Sequence, residues 1–212
     1  MYSYTIKQIL PDEYKLPKFA SNFYVEITQS ENHMKLLIGV TSSIAAYRIP
    51  NLVSILKKEN FEIKTIVTEH AKAFVAPQAL AVMSRNPCLS DADEWTNQQN
   101  VLHIELAKWC DAFLLAPLSA NTLAKIANGF CDNLLTSTVR ALGGKPLIIA
   151  PAMNTAMWEN PITQMHIKQC KQIYNLQVIE PVSKRLADGD TGIGGLAEDE
   201  TIISEIRNLI IG

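Results

Sequence analysis

The chain has 212 residues, 48% hydrophobic and 19% charged, a balance that fills the core of one domain, or of one domain with an extension. Its net charge of -2 gives no reason to expect nucleic acid or another polyanion as a partner. No apolar run reaches membrane-spanning length, and no basic segment leads into an apolar one near residue 1, so no membrane association, no secretion signal and a cytoplasmic location are expected.

The cysteines Cys88, Cys110, Cys131 and Cys170 show no CxxC pairing and no metal-type spacing with histidine. They read as reduced core thiols of an intracellular protein, with no metal expected. Residues 1–33 are mixed, polar and aromatic, with Pro11 and Pro17 and no sustained period. They are expected to be an N-terminal extension packed on the outside or on a neighbouring subunit, with one domain over residues 34–212; Met34 is a candidate internal start.

Lys35–Val40 is an apolar run expected to be the first strand. Thr41-Ser42-Ser43 follows, and Ile44-Ala45-Ala46-Tyr47 opens a helix expected to reach about Lys58. Strand, polar turn and helix N-terminus together bind phosphate through backbone N–H groups, hydroxyls and the helix dipole. The turn is neither a GxGxxG nor a Walker sequence, and taken alone it reads first as a plain Ser/Thr cap. Phe61–Val67 alternates as a second strand, ending at Thr68. A helix follows over Ala71–Met83, interrupted or kinked near Pro77. Residues 85–100 read as an acidic loop with Asp91, Asp93, Glu94 and Trp95.

A short helix is expected over Val101–Trp109 and a buried strand over Asp111–Ala116. Pro117-Leu118-Ser119-Ala120-Asn121-Thr122 then turns into a helix through Asn128. Ser119, Asn121 and Thr122 form a second phosphate- or ribityl-type cradle on the same sheet edge as Ser42 and Ser43. Two cradles plus Thr68 point to one phosphorylated ligand lying across that edge.

Lys145–Ala150 is a further buried strand, followed by Pro151-Ala152-Met153-Asn154-Thr155-Ala156-Met157-Trp158 and a resumed helical pattern. Ligands of open α/β sheets sit just beyond the carboxyl ends of strands. There, Met153, Met157 and Trp158 would make an apolar wall around the Asn154 amide, which both donates and accepts. The same stretch also reads as an Asn-capped turn with core Met and Trp. A last strand is expected near Gln177–Ile179. The glycines of Pro181–Gly195 read as a mobile flap whose Lys184-Arg185 meets an anion, or equally as a disordered surface loop. Residues 200–210 close the chain as a helix. The alternation of strands and helices predicts an α/β fold with a doubly wound parallel sheet.

Several long motifs in this order resemble the flavin-containing cysteine decarboxylases, and within them the phosphopantothenoylcysteine branch of plant and animal type. The motifs are Val101-Leu102-His103-Ile104-Glu105-Leu106, Ala116–Thr122, Cys131-Asp132-Asn133-Leu134-Leu135-Thr136, Pro151-Ala152-Met153-Asn154 with Met157-Trp158, and Lys184-Arg185-Leu186-Ala187. The resemblance covers about Lys35 to Glu198.

It implies a three-layer, flavodoxin-like (Rossmann-like) subunit that binds FMN at a subunit interface and assembles as a homotrimer or a multiple of trimers. It implies FMN contacts at Ser42, Ser43, Ile44, Thr68, Ser119, Ala120, Asn121, Thr122 and Ala152, a catalytic His103 and a substrate-binding Asn154. Met157, Lys184 and Arg185 would complete the substrate site. The implied reaction is decarboxylation of the cysteine moiety of 4'-phosphopantothenoylcysteine to 4'-phosphopantetheine, on the route to coenzyme A. Alternatives are a peptidyl-cysteine decarboxylase that stops at the aminoenethiol, and a non-catalytic regulatory relative.

The chemistry suits these residue types. A carboxylate on a saturated carbon leaves poorly until flavin oxidation of the cysteine side chain to a thioaldehyde gives the developing carbanion a sink. Histidine handles protons near neutral pH. Three positions depart from the family pattern. Asp188 stands where the phosphopantothenoyl branch has the flap cysteine that protonates the intermediate. Ser42 stands where Gly is frequent, and Lys108 where plant-type enzymes have Arg, which keeps the charge and loses the planar fork. Asp188 is expected to act as proton donor when a closed flap desolvates it.

Overall fold

The computed structural model describes residues 33–96, 100–185, 189 and 191–211. All of the expected extension except His33 lies outside them.

Strands β1 (Lys35–Val40), β2 (Glu62–Val67), β3 (Cys88–Leu89), β4 (Ala112–Leu118), β5 (Leu147–Pro151) and β6 (Leu176–Val178) form one parallel sheet in the order 3-2-1-4-5-6. Parallel strands covered on both faces read as continuous apolar runs, and β1, β4 and β5 do so. Side chains alternate between the faces. Leu36, Ile38, Val40, Leu114, Ile148 and Ala150 enter one core, with helices α1 (Ile49–Lys58), α2 (Pro77–Ser84) and α9 (Asp199–Ile211). Leu37, Phe113, Leu115, Leu147 and Ile149 enter the other, with α4 (Leu102–Trp109), α5 (Ala120–Ala127), α6 (Leu134–Arg140) and α8 (Pro161–Ile173). The expected three-layer α/β architecture, a parallel sheet with helices on both faces, is the one observed. Gly39 lets these layers meet, since a Cβ there would lie 2.6 Å from Leu115 Cδ2 and 2.9 Å from Leu135 Cδ1.

Several local readings need correction. Ile44–Arg48 is a 3-10 turn before α1, and Glu69–Ala73 is another before α2, whose first residue is Pro77. Pro at the first helical position costs no internal hydrogen bond, so it starts α2 rather than kinking a longer helix. The acidic stretch contains β3 and the four-residue helix α3 (Asp91–Glu94). The glycine-rich stretch holds an antiparallel hairpin, β7 (Val182–Arg185) with β8 (Thr191–Gly195). Of the four thiols, Cys110 and Cys170 are buried core groups, Cys88 is half-buried and Cys131 is exposed; all are reduced. Burial pushes Cys170 up to about 11, and also raises Cys110 and Cys88.

Candidate active site

The strand order reverses between β1 and β4, and ligands of doubly wound sheets bind outside the carboxyl ends at such a switch point. The two polar turns lie on these two neighbouring strands. Thr41, fully buried, joins them: its hydroxyl donates to Pro117 O and accepts from Ser119 N–H, both at 2.8 Å. Ser43 caps the Ile44–Arg48 turn through Ala45 N–H. Ser119 caps α5, accepting from Thr122 N–H at 3.3 Å and donating to Thr122 Oγ1 at 3.2 Å. Thr68 N–H donates to Val40 O at 3.0 Å, which sets the end of β2 beside β1. Ala152 N–H donates to Leu118 O at 3.1 Å, which sets the end of β5 beside β4. Ser42, Ser43, Thr68, Ser119, Ala120, Asn121, Thr122 and Ala152 therefore lie along one edge; Asn121 and Ile44 are exposed there.

Asn154 caps the short helix α7 (Thr155–Trp158), its Oδ1 accepting from Ala156 N–H at 2.8 Å. Met157 is exposed, whereas Trp158 is buried in the core with Ile167 and Cys170. The expected apolar wall thus loses its indole, which packs under the site. The hairpin is seated on this turn by Met153 N–H donating to Gly194 O at 2.9 Å. Gly194 has φ +151°, and a Cβ there would run into the Met153 carbonyl. Gly192 abuts Thr155, and Gly195 abuts the Lys184 stem. Gly192, Gly194 and Gly195 thus have a packing role beside the conformational freedom expected of them.

Lys184 turns back into the fold, with Nζ donating to Leu196 O at 3.1 Å and lying 3.9 Å from Glu198. Arg185 is exposed. Asp188 lies outside the described residues. Arg48, absent from the sequence reading, clamps the same segment through Leu196 O, Glu198 and Asp199 at 3.0, 3.0 and 2.8 Å.

His103 stands on α4 and lines an open cavity of about 600 Å³ with Glu94, Trp95, Ile104, Asn133 and Arg140. None of the strand-edge residues named above lines this cavity. Three acidic side chains at or beside it, Asp91, Asp93 and Glu94, each serve a helix start, while Asp132, also on its wall, pairs with Lys125. Asp91 accepts from Leu134 N–H at 2.9 Å at the beginning of α6. Asp93 accepts from Ser90 N–H at 2.7 Å, closing the capping box of α3. Glu94, with a side chain only 7% exposed, accepts from His103 N–H at 3.2 Å at the start of α4 and meets His103 Nδ1 at 2.5 Å. The signal available in sequence was the acid-rich spacing; its long-range partners were not visible there.

The Flavoprotein family pattern matches residues 25–211. Phosphopantothenoylcysteine decarboxylase of Mus musculus is 44% identical over 190 residues, covering 87% of this chain and 91% of the relative. A solved cysteine-to-serine mutant of phosphopantothenoylcysteine decarboxylase, complexed with pantothenoylaminoethenethiol, superposes with a TM-score of 0.79 at 40% identity, covering 85% of this chain and all of its own. The FMN binding protein AtHal3 superposes with a TM-score of 0.74 at 41% identity, covering 83% of this chain and 96% of its own. With matches this long and this similar, the chain belongs to the Flavoprotein family, alongside the phosphopantothenoylcysteine decarboxylases.

Proposed function

We infer that this chain is an FMN-dependent carboxy-lyase that decarboxylates the cysteine moiety of 4'-phosphopantothenoylcysteine to give 4'-phosphopantetheine in coenzyme A biosynthesis. The observation that carries the reading is the convergence of two neutral, hydroxyl-rich turns at the sheet's switch point, bridged by Thr41, in a chain so similar to such decarboxylases.

The residues present fit FMN. Ser42, Ser43, Thr68, Ser119 and Thr122 offer hydroxyls and backbone N–H groups beside two helical starts, which suits a phosphate and a polyhydroxy chain without a fixed counter-charge. Ile44, Ala120, Asn121 and Ala152 would complete the contact. The bound flavin supplies the two-electron oxidation that makes CO₂ loss possible. Asn154 would orient the substrate carboxylate or amide, Met157 would cover its apolar part, and His103 would exchange a proton with it. Lys184 and Arg185 would raise the positive potential near the anionic end of the substrate. Asp188 would return the final proton.

Because none of the strand-edge residues lines the cavity that holds His103, we propose that neighbouring copies in a homotrimer, or a multiple of trimers, bring the two together. Exposed Tyr47, Trp95 and Met157 are suited to burial in such contacts. Light scattering coupled to gel filtration tests this; a monomeric active enzyme would refute it. We place the enzyme in the cytoplasm, where free thiols and its small phosphorylated substrate coexist. No helix among the described residues is long and apolar enough to cross a membrane.

The functional test is incubation of the FMN-loaded protein with 4'-phosphopantothenoylcysteine and mass analysis of the product. Loss of CO₂ with recovery of the saturated thiol is expected. A protein that cannot be loaded with FMN, or that leaves the substrate intact when loaded, refutes the assignment.

A further inference from the structure

Glu94 is a carboxylate whose side chain is only 7% exposed, on the wall of a cavity that Ile104 and Leu134 also line, and a buried charge is costly unless paired. Both of its oxygens go to one residue. Oε2 accepts from His103 N–H at 3.2 Å, and Oε1 lies 2.5 Å from His103 Nδ1. Val101, at the cap position of α4, has no side-chain group to satisfy the helix start. Glu94 fills that role from another element and gains the favourable end of the helix dipole. Capping alone needs one oxygen. The second is spent on the imidazole.

We propose that Glu94 is the positioning residue of His103, fixing its ring orientation and tautomer. An ionised carboxylate only accepts, so the bond to Glu94 keeps a proton on Nδ1 of the neutral ring. Nε2 is then the nitrogen that takes up and returns a proton in the cavity. The backbone bond locks the helix turn that carries the ring, so the imidazole is gripped at both ends of its residue. A low local dielectric strengthens the pair. The proposal rests on His103 being the catalytic histidine.

The test compares E94Q, E94L and H103N as FMN-loaded enzymes with 4'-phosphopantothenoylcysteine. E94Q keeps the side-chain length and one acceptor; E94L keeps neither charge nor acceptor. Expected results are unchanged FMN stoichiometry and assembly, little change in KM, and a fall in kcat of at least roughly 10- to 100-fold in E94L, the size of loss when the orienting partner of a metal-bound imidazole is removed. E94Q should fall between E94L and the parent. Nitrogen-15 NMR of labelled histidine, with the His103 signal identified by its loss in H103N, should show the Nδ1–H tautomer in the parent and a mixture in E94L. A merely structural Glu94 would lower the melting temperature without moving that signature. Full kcat in E94L with an inactive H103N, or an unaltered tautomer in E94L, overturns the role of Glu94. Full activity in H103N overturns the reading of His103 itself, a result distinct from the other two.

Discussion

The Thr41 bridge offers the sharpest quantitative test of the site's architecture. Thr41→Val is nearly isosteric and removes only the hydroxyl. Two bonds disappear, one to Pro117 O and one from Ser119 N–H. Pro117 O keeps the bond from Thr41 N–H at 3.3 Å, so it is not orphaned. Ser119 N–H is the group left buried without its acceptor. Losing the first bond costs about 0.5–1.5 kcal/mol, and stranding the second donor costs about 1–3 kcal/mol. The sum is about 1.5–4.5 kcal/mol, which for a chain of this size lowers the melting temperature by roughly 3–18 °C. Ser119 also caps α5 and forms part of the cradle, so FMN affinity should fall with stability. Chemical denaturation of the apo-protein measures the first effect and flavin fluorescence titration the second. Thr41→Ser keeps the hydroxyl and should recover most of the loss. If T41V unfolds within about 0.5 kcal/mol of the parent, a loss too small for a stranded buried donor, the bridge does not hold the two strand ends together.

Gly194→Ala should destabilise by about 1–3 kcal/mol, because the added methyl meets the Met153 carbonyl and strains a positive φ; a melting temperature equal to the parent's would show that β8 is not seated on that turn. Burial raises Cys170 to about 11 from the ordinary thiol value of 9.0, so above pH 9 the unfolded chain sheds a proton that the folded chain keeps, and stability falls as pH rises towards 11. Denaturant unfolding at pH 8.5 and 10.5 should show this fall, smaller in Cys170→Ala; a pH-independent stability contradicts it. In native protein, a thiol reagent should modify exposed Cys131 well before Cys110 or Cys170, and equal rates by mass analysis would contradict that order. Asp188→Asn should lower the share of saturated thiol while CO₂ release continues, and Asp188→Cys should restore it. Unchanged product ratios in both would remove Asp188 from the protonation step.

The sheet is legible in the sequence because its central strands are buried on both faces. Lys35–Val40, Ala112–Leu118 and Leu147–Pro151 carry almost no polar residue, and each ends in a polar turn that must lie at the carboxyl edge. Ser42, Thr68, Ser119 and Asn154 each follow a predicted strand, which is enough to set them at a carboxyl end. Of the two shortest strands, Leu176–Val178 matches the strand expected near Gln177–Ile179, whereas Cys88–Leu89 is too brief to show a period and is a strand because β2 offers it a ladder, a tertiary cause.

The harder cases share one feature: the residue type has an ordinary local meaning and an extraordinary distant neighbour. Glycine in Thr191–Gly195 reads as freedom, yet Gly192 and Gly194 are small because Thr155 and Met153 press against them. Acid in 85–100 reads as solvation, yet Asp91 holds the start of α6, 43 residues on, and Glu94 grips His103 across a helix boundary. Trp158 reads as a ligand wall, yet the single turn Thr155–Trp158 leaves Met157 in solvent and turns the indole inward onto Ile167 and Cys170. Helical periodicity would have needed two or more turns to reveal which face was buried, and α7 has one. Function concentrates in such places because holding an imidazole or an amide still requires a support from elsewhere in the chain, and such supports are set by the fold rather than by the neighbouring residues.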